Sequence, residues 1–196
     1  MKWRWLFVLV LVYAAWAAWQ ARPVSRAPGV LVESAPQQAD LAAPLPALER
    51  GGYRLTALQS FFLEARVRGA ERYRFDREAD LAPVDLTLGW GAMSDSAVLA
   101  GIDISQGNRF YYWHVDDFPI PRREIETHSA NMHMIPATPS IDGALKSVRP
   151  GQIVKVAGYL VEARAADGWA WRSSLTRDDT GAGACELVWV TGFDVR

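Results

Sequence analysis

The chain of 196 residues contains one cysteine, Cys185. An internal disulfide framework is therefore excluded, and any stability must come from packing. Lysine is also scarce: three stand against 18 arginines. Arginine excess can serve planar recognition of carboxylate or phosphate, but a compositional bias alongside many alanines is the favoured explanation. Net charge is −1, so no global field directs the chain to nucleic acid, and no nucleic-acid partner is expected. A Gly-rich phosphate loop, a nucleophile elbow and a zincin helix are all missing. Arg177-Asp178-Asp179-Thr180-Gly181 lacks the alternating acidic spacing of a calcium loop and reads as a turn. No cofactor is nominated.

Half of the residues are hydrophobic, enough to build a substantial core. The longest uncharged run, Trp5 to Trp19, follows the basic head Lys2 and Arg4. Its length and the pattern Ala15-Trp16-Ala17 suit a cleaved signal segment. Trp3, Trp5, Trp16 and Trp19 instead bracket it like an interfacial belt and suit a retained single-pass anchor. The expectation is a transmembrane anchor or signal over residues 1–20, with the bilayer as partner through residues 5–19. It places the chain at a bacterial inner membrane with the globular part on the periplasmic side. Pro23, Pro28, Pro36, Pro44 and Pro46 then make residues 21–52 a semi-extended linker, closed by Gly51-Gly52.

Residues 53–196 read as one β-rich domain. Phe61, Leu63, Ala65 and Val67 alternate with Phe62, Glu64, Arg66 and Arg68, predicting a half-buried strand. The segment 83–88 reads as irregular. Ser94-Asp95 caps a short helix to Ala100, and Arg109 to Val115 is an aromatic strand. Arg122 to His128 predicts one or two helical turns. Thr138-Pro139 opens a helix to about Val148. Gln152 to Ala165 is a long strand, Asp167-Gly168 a two-residue hairpin turn, and Cys185 to Thr191 a last strand. The fold class is α+β: a hydrophobic N-terminal helix, then a small curved antiparallel sheet or OB-like barrel with one or two short helices.

The stretch from Gly151 to Leu160 resembles the first long strand of an OB-type barrel. Tyr73-Arg74-Phe75-Asp76, Gly89-Trp90-Gly91, Met93-Ser94-Asp95, Ser129-Ala130-Asn131-Met132-His133 and Ser173-Ser174-Leu175-Thr176 with Cys185-Glu186 are together similar to bacterial membrane-associated proteins of unknown function. That resemblance implies an envelope location and brings no catalytic residue.

Three readings of function follow. The first is a membrane-tethered envelope module for binding or assembly, with a possible envelope protein partner. The second is an envelope thiol hydrolase in which Cys185 is the nucleophile and His128 or His133 the base, with Asn131 a further candidate residue. Against it, the alternation of Cys185 with Leu187 and Trp189 points the thiol at a core. The third is oligonucleotide or oligosaccharide binding on a platform of Trp169, Trp171, Arg172 and Tyr159. His128 and His133 are five residues apart, which does not put them on one helical face, so a metal site is not expected.

Overall fold

A computed structural model describes residues 2–20, 22–176 and 185–196. Helix α1 (Lys2–Gln20) holds 19 residues, and its described side chains, Trp3 and residues 5–14, are exposed. The expectation is a transmembrane anchor or signal segment over residues 1–20. Among the described residues no helix is long and apolar enough to cross a membrane. At ~1.5 Å per residue α1 reaches roughly 28 Å against a hydrocarbon core of about 30 Å, and polar residues at both ends shorten its apolar part.

The proline-spaced segment after α1 does not behave as a free linker. Its amides and side chains are bound along the domain. Val24 N donates to Pro150 O, and Gly91 N donates to Val32 O. Leu31 N and Val32 N both donate to Ser94 Oγ, and Val32 is buried in the main core. Strands β1 (Gln37–Asp40) and β2 (Leu48–Arg50) pair with the long strand β3 (Tyr53–Arg72). Proline removes one donor and fixes φ, which stops helix but suits an extended strap whose remaining amides reach a neighbour.

After β3 come β4 (Val84–Gly89), α2 (Ser96–Leu99), the hairpin β5 (Asp103–Gly107) and β6 (Phe110–His114), and α3 (Arg122–Thr127). Then follow β7 (Ser129–Pro136), α4 (Pro139–Ser147), β8 (Ile153–Arg164), β9 (Ala170–Arg172) and β10 (Glu186–Val195). The architecture is mixed α+β, dominated by one large sheet with order β1-β3-β4-β7-β10-β8-β9 and a further β3–β8 ladder. The sheet bends back on itself without forming a closed barrel. β3 pairs with β8 from Arg54 to Arg66 and with β4 from Arg66 to Arg72, so its two halves serve different neighbours. β7 and β10 run parallel, a departure from the expected antiparallel sheet. The OB-like segment 151–160 falls in β8, not in the first long strand, which is β3.

The concave side collects Phe61, Leu63, Ala65 and Val67 of β3 with Val84, Leu86 and Leu88 of β4. Ala130, Met132 and Met134 of β7, Val154, Val156 and Leu160 of β8, and Val188 and Val190 of β10 join them. α4 plugs one end with Leu145. Thr138 caps it by accepting from Ile141 N, and Pro139 occupies the first turn, where its missing N–H costs nothing. Gly158 lets β8 and β10 approach: a Cβ there would lie 1.9 Å from Trp189 O. The β8–β9 connection is a three-residue loop. Gly168 N donates to Ala165 O, Ala165 N to Trp169 O, and Gly168 takes φ +90°, in place of the expected two-residue turn.

β4, read from the sequence as irregular, is a fully buried central strand. Both its faces are covered, so Asp85 and Thr87 carry no sign of exposure that would mark the alternation.

Candidate functional site

The convex side of β4 and β7 is polar where a packed sheet face would be apolar. Because side chains alternate, Asp85 and Thr87 on β4 oppose the core-facing Val84, Leu86 and Leu88. Asn131 and His133 on β7 do the same beside Ala130, Met132 and Met134. The register sets Asp85 opposite His133 and Thr87 opposite Asn131. All four are buried, and buried polar groups are costly unless satisfied.

They are satisfied largely by the β5–β6 hairpin. Its two-residue turn, Asn108-Arg109, has φ of 52° and 68°. Side chains other than glycine rarely adopt that conformation, and it costs on the order of 1 kcal/mol per residue. The Arg109 side chain holds it in place. Its Nη1 donates to Asp85 Oδ1 at 3.0 Å and Ala82 O at 2.7 Å. Nε and Nη2 form a fork on Asp76, both at 2.9 Å. The guanidinium carbon lies 3.6 Å from the centre of the Tyr73 ring, and Arg109 N donates to Tyr73 Oη at 3.1 Å. Burial, then the Asp85 charge, push the Tyr73 hydroxyl up to about 12.

Asn131 ties the layers together. Its Nδ2 donates to Arg109 O at 3.0 Å, and its Oδ1 accepts from Gln106 Nε2 at 2.8 Å. Gln106 fills the space above Gly69, where a Cβ would come 2.1 Å from its Oε1. His133 Nδ1 lies 2.9 Å from Asp85 Oδ1, yet the N–H direction is too far off line for a hydrogen bond, so the contact is one of charge and dipole. The His133 ring packs against Trp171 with centres 4.4 Å apart.

Above this network lies a cavity of about 330 Å³ lined by Glu78, Arg109, Phe110, His133, Trp171, Arg172 and Cys185. Four separate stretches of chain supply its walls: the loop after β3, the β5–β6 hairpin, β9, and the residue before β10. A larger hollow of about 660 Å³ at the β2–β3 turn includes Arg50, Arg54 and Arg164. Its Arg50 is committed to Leu81 O and Pro136 O, and Arg164 to Glu162. Among the described residues that line it, no charged side chain is buried.

Cys185 and His133 thus line one cavity, and Cys185 is half-buried and outside any disulfide. The thiol does not open a strand as expected, since β10 begins at Glu186. His128 stands elsewhere. It ends α3, its Nδ1 lies 3.0 Å from Glu124 O, and its ring edge packs on Gly91. Of the four platform residues, Tyr159, Trp169 and Trp171 pack against one apolar cluster. Trp171 and Arg172 line the cavity. Trp169 is packed edge-on against Tyr53 at 5.3 Å and Trp171 at 6.1 Å, with Arg77 over its ring. Tyr159 packs against the convex core cluster of Leu55, Ile135, Leu187 and Trp189. Among the described residues, no three His, Cys, Asp or Glu side chains converge to hold a metal ion. The acidic turn 177–181 lies outside the described residues.

Asp85, Arg109, Glu78 and Phe110 join the site without having been singled out from the sequence. The alternation Val84-Asp85-Leu86-Thr87-Leu88 is the signal that identifies Asp85, once a covered strand is considered.

No family model, curated protein or solved structure matches the chain, so the site is read from its own geometry.

Proposed function

We propose that the domain is a binding module whose site is the cavity over the Asp85–His133–Arg109 network. The observation that carries this reading is a floor of buried Asp85, Thr87, Asn131 and His133, held by Arg109, under a cavity walled by four chain segments. A purely structural sheet face would be cheaper if apolar. The ladder order supports the reading by fold analogy. β3, β4, β7, β8 and β10 correspond to strands one to five of an OB-type, partly open barrel. In such barrels the second and third strands and the loops flanking them receive oligosaccharides or oligonucleotides.

The ligand class favoured is a sugar unit of an envelope glycan. Trp171 and Phe110 offer apolar wall, and Glu78, Arg172 and His133 offer polar groups around it, which suits a ring with one apolar face. The exposed apolar helix α1 would hold the domain at a lipid surface on the periplasmic side. Titration of the full chain with soluble glycan fragments, followed by tryptophan fluorescence, is the test. Saturable binding that vanishes in Trp171→Ala supports the proposal. Binding to oligonucleotides with a steep salt dependence, and none to glycans, would replace it.

One observation favours a second reading, a thiol hydrolase: Cys185 and His133 share the cavity, and Asp85 stands behind His133 as an orienting carboxylate would. It requires that the chain cleave envelope-derived amide substrates and lose that activity in both Cys185→Ser and His133→Ala. Activity surviving either substitution removes this reading.

A further inference from the structure

Arg26 lies on the N-terminal strap and Arg66 and Arg68 on β3, and Arg66 is close enough to feel the charge of Arg26 and to act on Arg68. Arg66 is 5% exposed. Its Nη1 donates to Ser94 O at 2.9 Å and Ser96 Oγ at 2.7 Å, and Ser96 Oγ in turn donates to Arg26 O at 2.9 Å. Arg26 donates to Gly151 O at 3.1 Å and Arg196 O at 2.9 Å. Arg68 sits at the register break between Val67 and Gly69 and so has no opposite residue on β4.

Of the partners just named, Ser94 O, Ser96 Oγ and Gly151 O are neutral oxygens. Nε of both Arg66 and Arg68 is buried without a hydrogen-bond partner. Among the described residues, Arg66 and Arg68 form no ion pair, although arginines elsewhere in the fold pair readily, as Arg109 does with two aspartates. Asp95 acts on Arg66 only at longer range, and its Oδ1 is committed to the amides of Gly29 and Ala97. Burial, then the neighbouring Arg66, bring the Arg68 guanidinium down to about 10. Cationic side chains taken out of water beside one another, with Asp95 as a counter-charge to Arg66 only at longer range, are costly. Arginine's fork matches phosphate oxygens.

We infer that Arg26, Arg66 and Arg68 form a binding site for a phosphate group, filled when the protein is at work. Position supports one source in particular. Arg26 follows the end of α1 by six residues, so the cluster lies within roughly 20 Å of that end by chain geometry. If α1 contacts lipid, as proposed above, the cluster faces the depth of phospholipid headgroups. A soluble phosphate would satisfy the same side chains, and the experiment separates the two.

Arg68→Gln is the informative variant because Arg68 makes no hydrogen bond that folding would lose. Arg66→Gln loses the Ser94 and Ser96 contacts and serves only as a comparison. The full-length chain and Arg68→Gln are melted with and without inorganic phosphate at matched ionic strength. They are also sedimented with phosphatidylcholine vesicles and with vesicles containing phosphatidylglycerol. In phosphate-free buffer Arg68→Gln melts no lower than the parent. Phosphate raises the melting temperature of the parent more than that of the variant. With a headgroup as the source, the parent also binds phosphatidylglycerol vesicles about fivefold more tightly than the variant does, with no difference on phosphatidylcholine. A phosphate shift with equal vesicle binding supports the site with a soluble occupant. If neither chain binds phosphatidylcholine yet the phosphate shift persists, only the lipid reading of α1 fails. Equal responses of the two chains to phosphate and to phosphatidylglycerol overturn the site.

Discussion

Replacing Asp85 with alanine tests whether the polar floor holds the hairpin in place. Asp85 is fully buried and takes Arg109 Nη1 at 3.0 Å, with His133 Nδ1 at 2.9 Å. Removing one member of a buried pair costs roughly 3–5 kcal/mol when the other is left bare. Arg109 is not left bare, since Asp76 and Ala82 O still hold it. The floor of the estimate is one lost charge-assisted hydrogen bond, about 1.5–3 kcal/mol. A loss near 3 kcal/mol is therefore expected, and about half of that for Asp85→Asn, which keeps the shape. With a urea slope of ~2 kcal/mol/M, the midpoint for Asp85→Ala falls by roughly 1.5 M. Asp85→Asn also removes a charge that holds the Tyr73 hydroxyl up, so absorbance titration places that hydroxyl lower than in the parent. A midpoint shift under about 0.3 M, with the Tyr73 titration unmoved, would refute the assignment of Asp85 as the keystone of this network.

Ser94→Ala strands the amides of Leu31 and Val32. It should cost about 2 kcal/mol and speed proteolysis within residues 24–36; unchanged protease resistance would show that the strap does not depend on this hydroxyl. Gly158→Ala forces a Cβ onto the Trp189 carbonyl, and expression should yield no cooperative melt. Gly69→Ala meets only the end of the Gln106 side chain. Its stability should fall by under about 1 kcal/mol, while ligand titration reports weaker binding as Gln106 leaves Asn131. Acid should loosen two joints. Asp95 is held below its ordinary 3.8 by the amides of Gly29 and Ala97, and Asp167 by the amide of Trp169 and then by Arg77. Both contributions are complete above pH 3.8 and are lost as pH falls through the lower folded values. Urea midpoints should hold from pH 7 to 5 and drop below 4, less steeply in Asp167→Asn.

Local signals were legible where a single rule decided the outcome. The Phe61–Val67 alternation, the Thr138-Pro139 start of α4 and the Asp95 cap of α2 each stand where the sequence places them. β4 and β7 were obscured because both of their faces are covered. Asp85, Asn131 and His133 look like loop residues until the hairpin above them supplies partners. The strap escaped notice because proline excludes helix and central strand but not an extended segment bound through its other amides. Cys185 and His133 could be paired on paper, but nothing in their spacing selects His133 over His128. That choice is made by the β4–β7 register, which turns His133 toward Asp85 and leaves His128 at the end of a helix.

The final strand has a bearing on when this fold can exist. β10 lies between β7 and β8, and Arg196 exchanges backbone hydrogen bonds with Ile153 while its carbonyl holds Arg26 from the strap. Until residues 186–196 arrive, β7 and β8 each present an open edge and the strap lacks one of its fastenings. Order of synthesis therefore does not become order of assembly: the N-terminal segments wait for the C-terminal ones. A chain passed unfolded through a membrane, and released whole on the far side, meets that condition by default, whereas one folding as it emerges would have to keep two sheet edges unpaired in the meantime.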